Sequence, residues 1–501
     1  MTRDRHCLPL VRAEIDTYSQ PVVFMHLDCH VCRAEGFRAL TRVRIDCGGR
    51  SVIASLNVVT GAGWLGPEAA ALSDAAWAAL RPRLGDMGQF SHPELPEAAS
   101  LIRAKVYGER LHQAQFATII KDAMAHRLSD LDLAAFVTAC AGEHLSTCET
   151  IALTRAMQEA GRSLEWGEGP VLDKHCVGGL PGNRTTPIVV AIVAAAGLVI
   201  PKTSSRAITS PSGTADTMEV MAPVALDTAA MSKVVEAQGG CIVWGGALGL
   251  SPADDILIRI ERPLDFDSDG QLVASILSKK AAAGSDRVVI DIPVGPTAKV
   301  RSENAAEALS ARLRATARAI GLDLAIHVSD GSQPVGCGIG PALEAMDVLK
   351  VLRRTPDAPG DLRERALVLA GLLLEMSGET AGVERARVLL DSGAAEHRFM
   401  AICAAQGGFA EPAKAPYRIP FVAPCDGVIT AIDNRLIARV AKLAGAPQQA
   451  RAGVLLMARP GTLVQLGQPL FEIWAETPGE LAYASDFSSA QKEIFRIEVP
   501  K

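Results

Sequence analysis

Apolar and polar positions change their period several times along the chain, and each change predicts an element. Residues 21–27 and 37–59 carry β-branched and apolar runs bounded by polar or Gly-containing segments, which predicts strands, and residues 68–80 predict a short helix. Residues 85–95 mix Gly, Pro and polar side chains and read as a linker. Over 96–165 apolar residues recur at helical spacing, most clearly at 114–126. Ser129-Asp130-Leu131-Asp132 is an N-cap pattern there, and Ser146-Thr147-Cys148-Glu149 is a full capping box. From 170 to 410, strand-like runs at 241–244, 287–292 and 323–328 alternate with helical runs at 305–320, 342–353 and 362–375. That alternation predicts an α/β domain with a largely parallel sheet. Ligands of such a sheet belong at the C-terminal ends of its strands. Residues 411–420 form a Pro-containing connection to a β-rich end.

The stretch 171–220 holds the densest chemistry. A Gly-rich loop (Gly178, Gly179, Gly182) is followed by the apolar run 188–200, which fits a buried helix passing into a strand. A second loop then brings Ser204, Ser205, Arg206, Thr209, Ser210 and Thr214. Each loop is predicted to lie between a strand and a helix, where backbone N–H groups and the helix dipole suit a phosphate. Lys174 and Arg206 add positive charge. One such loop alone is more often an ordinary connection, but two within about 40 residues, with Lys and Arg, favour an anion site. Neither is a dinucleotide fingerprint or a Walker A loop, since there is no GxGxxG after a strand and no GKS or GKT.

Composition narrows the classes. A length of 501 residues predicts two to four domains with ample core. The net charge of −6 offers no basic excess for nucleic acid. No N-terminal apolar core suits a signal peptide, and the run 188–200 is shorter than the roughly 20 residues that span a bilayer. The expectation is a cytoplasmic protein without a membrane segment. The 11 cysteines are an odd, scattered set, which argues against a full disulfide framework. Cys29-His30-Val31-Cys32, with His26 and Cys47 nearby, admits a zinc site. A second ligand pair at finger spacing is missing, so reduced, partly buried thiols and no metal are the expectation.

The motifs carry a resemblance. Asp173-Lys174-His175-Cys176-Val177-Gly178-Gly179 resembles the signature of the thymidine/pyrimidine-nucleoside phosphorylase family, with Cys176 where the family has serine. The segment 202–216, Lys202-Thr203-Ser204-Ser205-Arg206-Ala207-Ile208-Thr209-Ser210-Pro211-Ser212-Gly213-Thr214-Ala215-Asp216, resembles the type 2 branch, which includes bacterial thymidine phosphorylases and archaeal AMP phosphorylases. Further likeness lies at 251–256, 274–280 and 331–344, so the resemblance covers nearly the whole chain. It implies a multidomain α/β fold: a β-rich N-terminal domain (1–90), a small helical lobe (96–165, with returning helices at about 253–281), a large α/β lobe (170–410) with a mostly parallel sheet, and a C-terminal barrel-sandwich-like α+β domain (420–501). The active site is then expected in the cleft between lobes. Val422-Ala423-Pro424-Cys425-Asp426-Gly427-Val428 resembles the opening of a barrel-sandwich hybrid, but no hairpin lysine of the Met-Lys-Met type follows.

The implied activity is phosphorolysis of an N-glycosidic bond. The primary form is thymidine-phosphorylase-like; the alternative is cleavage of AMP or another nucleoside 5′-monophosphate to a base and ribose 1,5-bisphosphate. Inorganic phosphate is a co-substrate and no cofactor is implied. The partners are the nucleoside or nucleotide and a second copy of the chain, as homodimer or higher oligomer. The resemblance assigns phosphate or substrate contacts to Lys174, Gly179, Ser204, Ser205, Arg206, Ala207, Ile208, Thr209, Ser210 and Thr214. It assigns base contacts to Ser275 and Lys279, and a substrate-binding lysine of AMP phosphorylases aligns with Lys299. The arginine that completes the base-binding set has no counterpart in register; Arg259 is nearest. Asp267 aligns with the proton donor, with Asp265 and Asp269 alongside. His175 either assists the departing base or packs the loop. An anthranilate-type phosphoribosyltransferase shares the lobed fold but needs acidic Mg²⁺ ligands, and a catalytically silent homologue is disfavoured by the retained Lys174, Arg206, Thr214 and Asp267.

Overall fold

A computed structural model describes residues 6–18, 20–61, 63–207, 210–264, 268–491 and 493–498. The chain forms two compact units, one of Met1–Ala160 with Pro252–Gln271 and one of Gly161–Ser251 with Leu272–Lys501.

The first unit opens with a closed barrel. Its strands are β1 (Cys7–Arg12), β2 (Val22–His26), β3 (Arg42–Cys47), β4 (Arg50–Val59), β5 (Ala70–Leu72) and β6 (Met87–Ser91), in the order β1-β5-β2-β4-β3-β6. Alternating side chains fill the interior: Leu8, Leu10, Val23, Met25, Val43, Ile45, Ala54, Leu56 and Phe90 are all buried. Two sequence expectations are corrected here. The strand-like run 37–59 is two antiparallel strands, β3 and β4, turned through Gly48 and Gly49 at φ of 56° and 77°. The linker expected at 85–95 contains β6, which pairs antiparallel with both β1 and β3 and so closes the barrel. Its Gly and Gln residues hide a strand, because Gly88 faces Leu10 so closely that a Cβ would stand 2.7 Å from Leu10 Cδ2.

Helices Ala98–Val106, Gln113–Met124, Asp130–Ala139 and Thr147–Glu159 follow. Ser129 and Ser146 cap the last two through hydroxyls that accept the N–H of Asp132 and Glu149. Helix Pro252–Leu264 joins this unit, and Arg259 donates to both oxygens of Asp130 at 2.8 and 2.7 Å. That ion pair occupies the arginine nearest to the missing base-binding position. Among the described residues no cluster of three or more His, Cys, Asp or Glu is arranged to hold a metal ion. Cys29 and Cys32 are buried, and Cys29 Sγ accepts the Cys32 N–H at 3.1 Å.

The second unit carries β7 (Leu172–Cys176), β8 (Ile200–Ser204), β9 (Gly240–Trp244), β10 (Arg287–Val294) and β11 (Asp323–Asp330). All pairs are parallel: β11-β10-β7 on one side and β8-β9 on the other, joined by a bridge between Val171 and Val199. The apolar helix Thr185–Ala195 is buried along its length, as the run 188–200 predicts, and packs with helices Gly360–Met376 and Ala394–Gln406. The strand β12 (Gly338–Ile339) leaves this parallel arrangement. It pairs with β15 (Gly453–Leu456) in the C-terminal sheet β12-β15-β17-β13, where β13 is Tyr417–Val422 and β17 is Pro469–Ala475. A second sheet, β16-β14-β18, consists of β14 (Gly427–Ile432), β16 (Leu463–Val464) and β18 (Phe495–Glu498). Among the described residues no helix is long and apolar enough to cross a membrane.

Candidate active site

Two successive strand–loop–helix passages build the site. β7 leads through 177–184 into helix Thr185–Ala195, and β8 leads through 205–213 into helix Thr214–Glu219. The first loop requires glycine. Gly179 has φ of 83°, and a Cβ there would lie 2.4 Å from the Lys299 backbone nitrogen. Gly182 has φ of 69°, and its Cβ would lie 2.0 Å from the Val335 carbonyl oxygen. The Asn183 N–H donates to that same carbonyl at 2.9 Å, which fastens the loop to the segment ahead of β12.

β7 places four candidate side chains in succession. Asp173 is 1% exposed and lies between two ammonium groups, Lys202 Nζ at 3.1 Å and Lys280 Nζ at 2.7 Å. Burial raises its pKa, but the two cations outweigh burial and hold the carboxyl below its ordinary value. Lys280 is pushed down by the same burial, against the pull of Asp173. Lys174 is also 1% exposed; its ammonium donates to Thr185 Oγ1 at 2.7 Å, and burial lowers its pKa. Among the described residues no carboxylate forms an ion pair with it. His175 is partly exposed. Burial first, then Lys280, Lys202, Lys279 and Lys174, hold its pKa well below 6.5, so the ring is neutral at pH 7. Cys176 accepts a hydrogen bond from Asn183 Nδ2 at 3.4 Å. Burial and then Asp291 push its thiol up to about 12, so at the position of the family's serine the sulfur keeps its proton.

The second loop is organised by a carboxylate. Asp216 Oδ2 accepts the N–H groups of Ala207 at 2.7 Å and Gly213 at 2.9 Å. Arg206 donates to Asp216 and to both oxygens of Glu219, and its guanidinium lies 4.8 Å over the Trp244 ring. Its charge is thus already engaged within the loop. Ser204 ends β8 with a buried hydroxyl that has no hydrogen-bond partner among the described residues. Ser205 and Ser210 are exposed, and Ser210 donates to the Ser212 carbonyl at 3.0 Å. Ile208 and Thr209 lie outside the described residues.

Sequence reasoning missed the residue that joins the two loops. Arg184 donates to Thr214 Oγ1 at 2.7 Å, to the Ser212 carbonyl at 2.9 Å and to Glu344 Oε2 at 2.7 Å. Also missed were Thr185, Lys202, Lys280, Asp216 and Glu344. A polar or charged residue inside an otherwise apolar segment was the signal available for Lys202 and Thr185; nothing local marked Glu344. Elsewhere, Lys279 donates to Ser275 Oγ at 3.3 Å, one turn apart on helix Asp269–Ala282. Lys299 is half-buried, its backbone against Gly179. Asp265 and Asp267 lie outside the described residues.

Comparison with known proteins identifies the family. Residues 168–396 match the glycosyl transferase family a/b domain, and residues 99–161 match the helical bundle domain of the same family. A relative from Hahella chejuensis named "Putative thymidine phosphorylase" is 56% identical, with 99% of each chain covered. One from Acidovorax sp. strain JS42, named "Putative thymidine phosphorylase 1", is 58% identical over 97% of this chain and 96% of its own. The fold also matches anthranilate phosphoribosyltransferase from Thermus thermophilus, with a TM-score of 0.51 at 20% identity, over 61% of this chain and 98% of that one. The chain therefore belongs to the glycosyl transferase family of these two domains, within its thymidine-phosphorylase-like group, and is a pentosyltransferase-type enzyme.

Proposed function

We propose that the enzyme cleaves the N-glycosidic bond of a nucleoside by phosphorolysis, converting thymidine and phosphate to thymine and 2-deoxyribose 1-phosphate. The observation that carries this reading is Lys174. It is a buried ammonium with a hydroxyl as its hydrogen-bond partner and no carboxylate ion pair among the described residues, beside a glycine loop and one strand from the unpartnered Ser204 hydroxyl. A buried charge that a carboxylate, Asp291, offsets only from beyond ion-pair distance is costly, and a phosphate dianion offsets that cost. In the reaction a phosphate oxygen forms a bond to C1′ while the C1′–N bond breaks and its electron pair leaves with the base. Lys174, Ser204 and Thr214 hold the phosphate, and its positioning beneath C1′ supplies much of the rate. Ser275 and Lys279 take the base. Asp267, by family resemblance, delivers the proton. His175, neutral at pH 7, serves as an N–H donor to the developing negative charge rather than as an imidazolium acid.

One observation favours the nucleotide alternative. The Lys299 backbone packs against Gly179 in the same loop, so a second phosphate near that loop has a lysine close by. Thymidine, uridine, AMP, CMP and UMP, each with and without inorganic phosphate and read as free base, separate the two. Phosphate-dependent release from thymidine supports the first reading, and release from a monophosphate alone supports the second. Base release that ignores phosphate sinks both.

A further inference from the structure

Two hydroxyls at the site are bonded by groups that cannot accept. Lysine and arginine side chains only donate. Lys174 Nζ therefore uses a lone pair of Thr185 Oγ1, and Arg184 Nη1 uses a lone pair of Thr214 Oγ1, each at 2.7 Å. In both cases the hydroxyl proton is left to point elsewhere, and the oxygen has become a donor for a third party. Thr214 stands at the first position of its helix, directly after the hydroxyl-rich loop.

The guanidinium that sets Thr214 is itself fixed. Its side chain is 11% exposed, and it forms an ion pair with Glu344, whose side chain is 2% exposed. Glu344 is anchored in turn: Oε1 accepts the Gly340 N–H at 3.2 Å, and Oε2 accepts the Thr217 hydroxyl at 3.2 Å. Arg184 also holds the Ser212 carbonyl, so one planar fork ties the end of the glycine loop, the end of the hydroxyl loop and the start of helix Pro341–Arg353. Burial raises the Glu344 pKa, and Arg184 counters it, so the pair is held together by mutual need.

We propose that Arg184 is a positioning residue for the oxyanion: backed by Glu344, it turns the Thr214 hydroxyl into a fixed donor and holds the hydroxyl loop in register with the glycine loop. The proposal rests on the phosphate-binding reading of these loops and names the group that arms them. Arg206 lies in the loop itself but is spent on Asp216 and Glu219; Arg184 does its work from the neighbouring loop.

The test is calorimetric binding of inorganic phosphate to the full chain, which needs no knowledge of the nucleoside. Arg184→Met should raise the phosphate Kd by at least about tenfold, and Thr214→Val should do the same. If Arg184 acts through Thr214, the double variant is no weaker than about threefold beyond Thr214→Val alone. Arg184→Met, Glu344→Met removes both charges and guards against a variant that merely fails to fold. It should recover the melting temperature lost in Arg184→Met while phosphate binding stays weak. Wild-type phosphate affinity in Arg184→Met, multiplicative losses in the double variant, or recovery of affinity in the charge-free pair would each overturn the proposal. With any substrate that turns over, Arg184→Met should raise the phosphate KM more than it lowers kcat. If no nucleoside or nucleotide is cleaved, the reaction assignment fails while the phosphate isotherms still decide the role of Arg184.

Discussion

Replacing Lys174 with methionine should make the protein more stable and less able to use phosphate at once. The ammonium is fully buried and its pKa is lowered by burial, so the folded state bears a desolvation cost that Asp291, beyond ion-pair distance, relieves only in part. That cost is on the order of several kcal/mol for a buried ion. Its charge-assisted bond to Thr185 returns only about 1.5–3 kcal/mol, and the threonine hydroxyl can rotate once the lysine is gone. Methionine has similar length and fills the space without charge. The net expectation is a gain of about 1 kcal/mol or more, roughly 1.5 °C or more in the melting temperature of the second unit. The sign with pH follows from the depressed pKa. Above its folded pKa and below 10.5 the unfolded chain binds the extra proton, so wild-type stability rises with pH there. The advantage of the variant is therefore greatest below that folded pKa and shrinks as pH climbs through the window.

The functional loss runs the other way. A charge-assisted contact to phosphate is worth about 1.5–3 kcal/mol, or roughly 10- to 150-fold in the phosphate KM. Thermal unfolding with and without phosphate reads both effects together. At a phosphate concentration of 100 Kd the wild type gains about 2.7 kcal/mol, and the variant at the same concentration gains about 1.4 to 0.3. A variant with unchanged phosphate dependence and no rise in melting temperature would refute the reasoning, because Lys174 would then be neither strained by burial nor reserved for an anion.

Four other expectations follow from the same residues. Asp267→Asn should lower turnover by about 10²–10⁴ and erase the basic limb of the pH profile, which reports loss of the acid's proton; near wild-type turnover with an unchanged profile moves the acid elsewhere. Lys299→Ala should cut kcat/KM about tenfold for a monophosphate and leave the nucleoside nearly unchanged, and equal effects on both remove it from 5′-phosphate binding. Asp173→Asn strands two buried ammonium groups and should cost about 3–5 kcal/mol in a urea titration at pH 7, whereas a loss under about 1 kcal/mol contradicts the triad; since the folded pKa of Asp173 is depressed, its contribution is present above about pH 4 and lost as pH falls through the lowered value. Gly182→Ala sets a Cβ against the Val335 carbonyl at a positive φ and should cost at least about 2 kcal/mol, which a denaturation midpoint equal to wild type excludes.

The elements that sequence reasoning finds and those it loses differ in what holds them. The alternation over 170–410 shows β9, β10 and β11 because each holds an apolar run beside a helical one, a signal contained within about 30 residues, whereas β7 and β8 carry Asp173, Lys174 and Lys202 and are marked by the loops that follow them. The capping boxes at Ser129 and Ser146 are legible for the same reason: both partners lie within three residues. β6 is lost because its place depends on β1, about 80 residues earlier, and its Gly88 is there to clear Leu10 rather than to break structure. The C-terminal boundary blurs likewise, since β12 comes from the α/β segment and finds its partner in β15.

The two arginines of the site show the same division at the level of single groups. Arg206 attracts attention because it lies among hydroxyls, and composition favours it as an anion binder. Its fate is nevertheless readable nearby: Asp216 and Glu219 are three apart on one short helix, so they share a face and both reach it. Arg184 looks like a loop residue before an apolar helix, and its neighbours in sequence name no counter-ion for it. That counter-ion is Glu344, 160 positions away, and only the approach of helix Pro341–Arg353 brings the pair together. A local list of residue types thus names the cations but misassigns their partners. The partner decides the function: a guanidinium neutralised by two carboxylates shapes its own loop, while one that keeps a donor for Thr214 reaches across to the next.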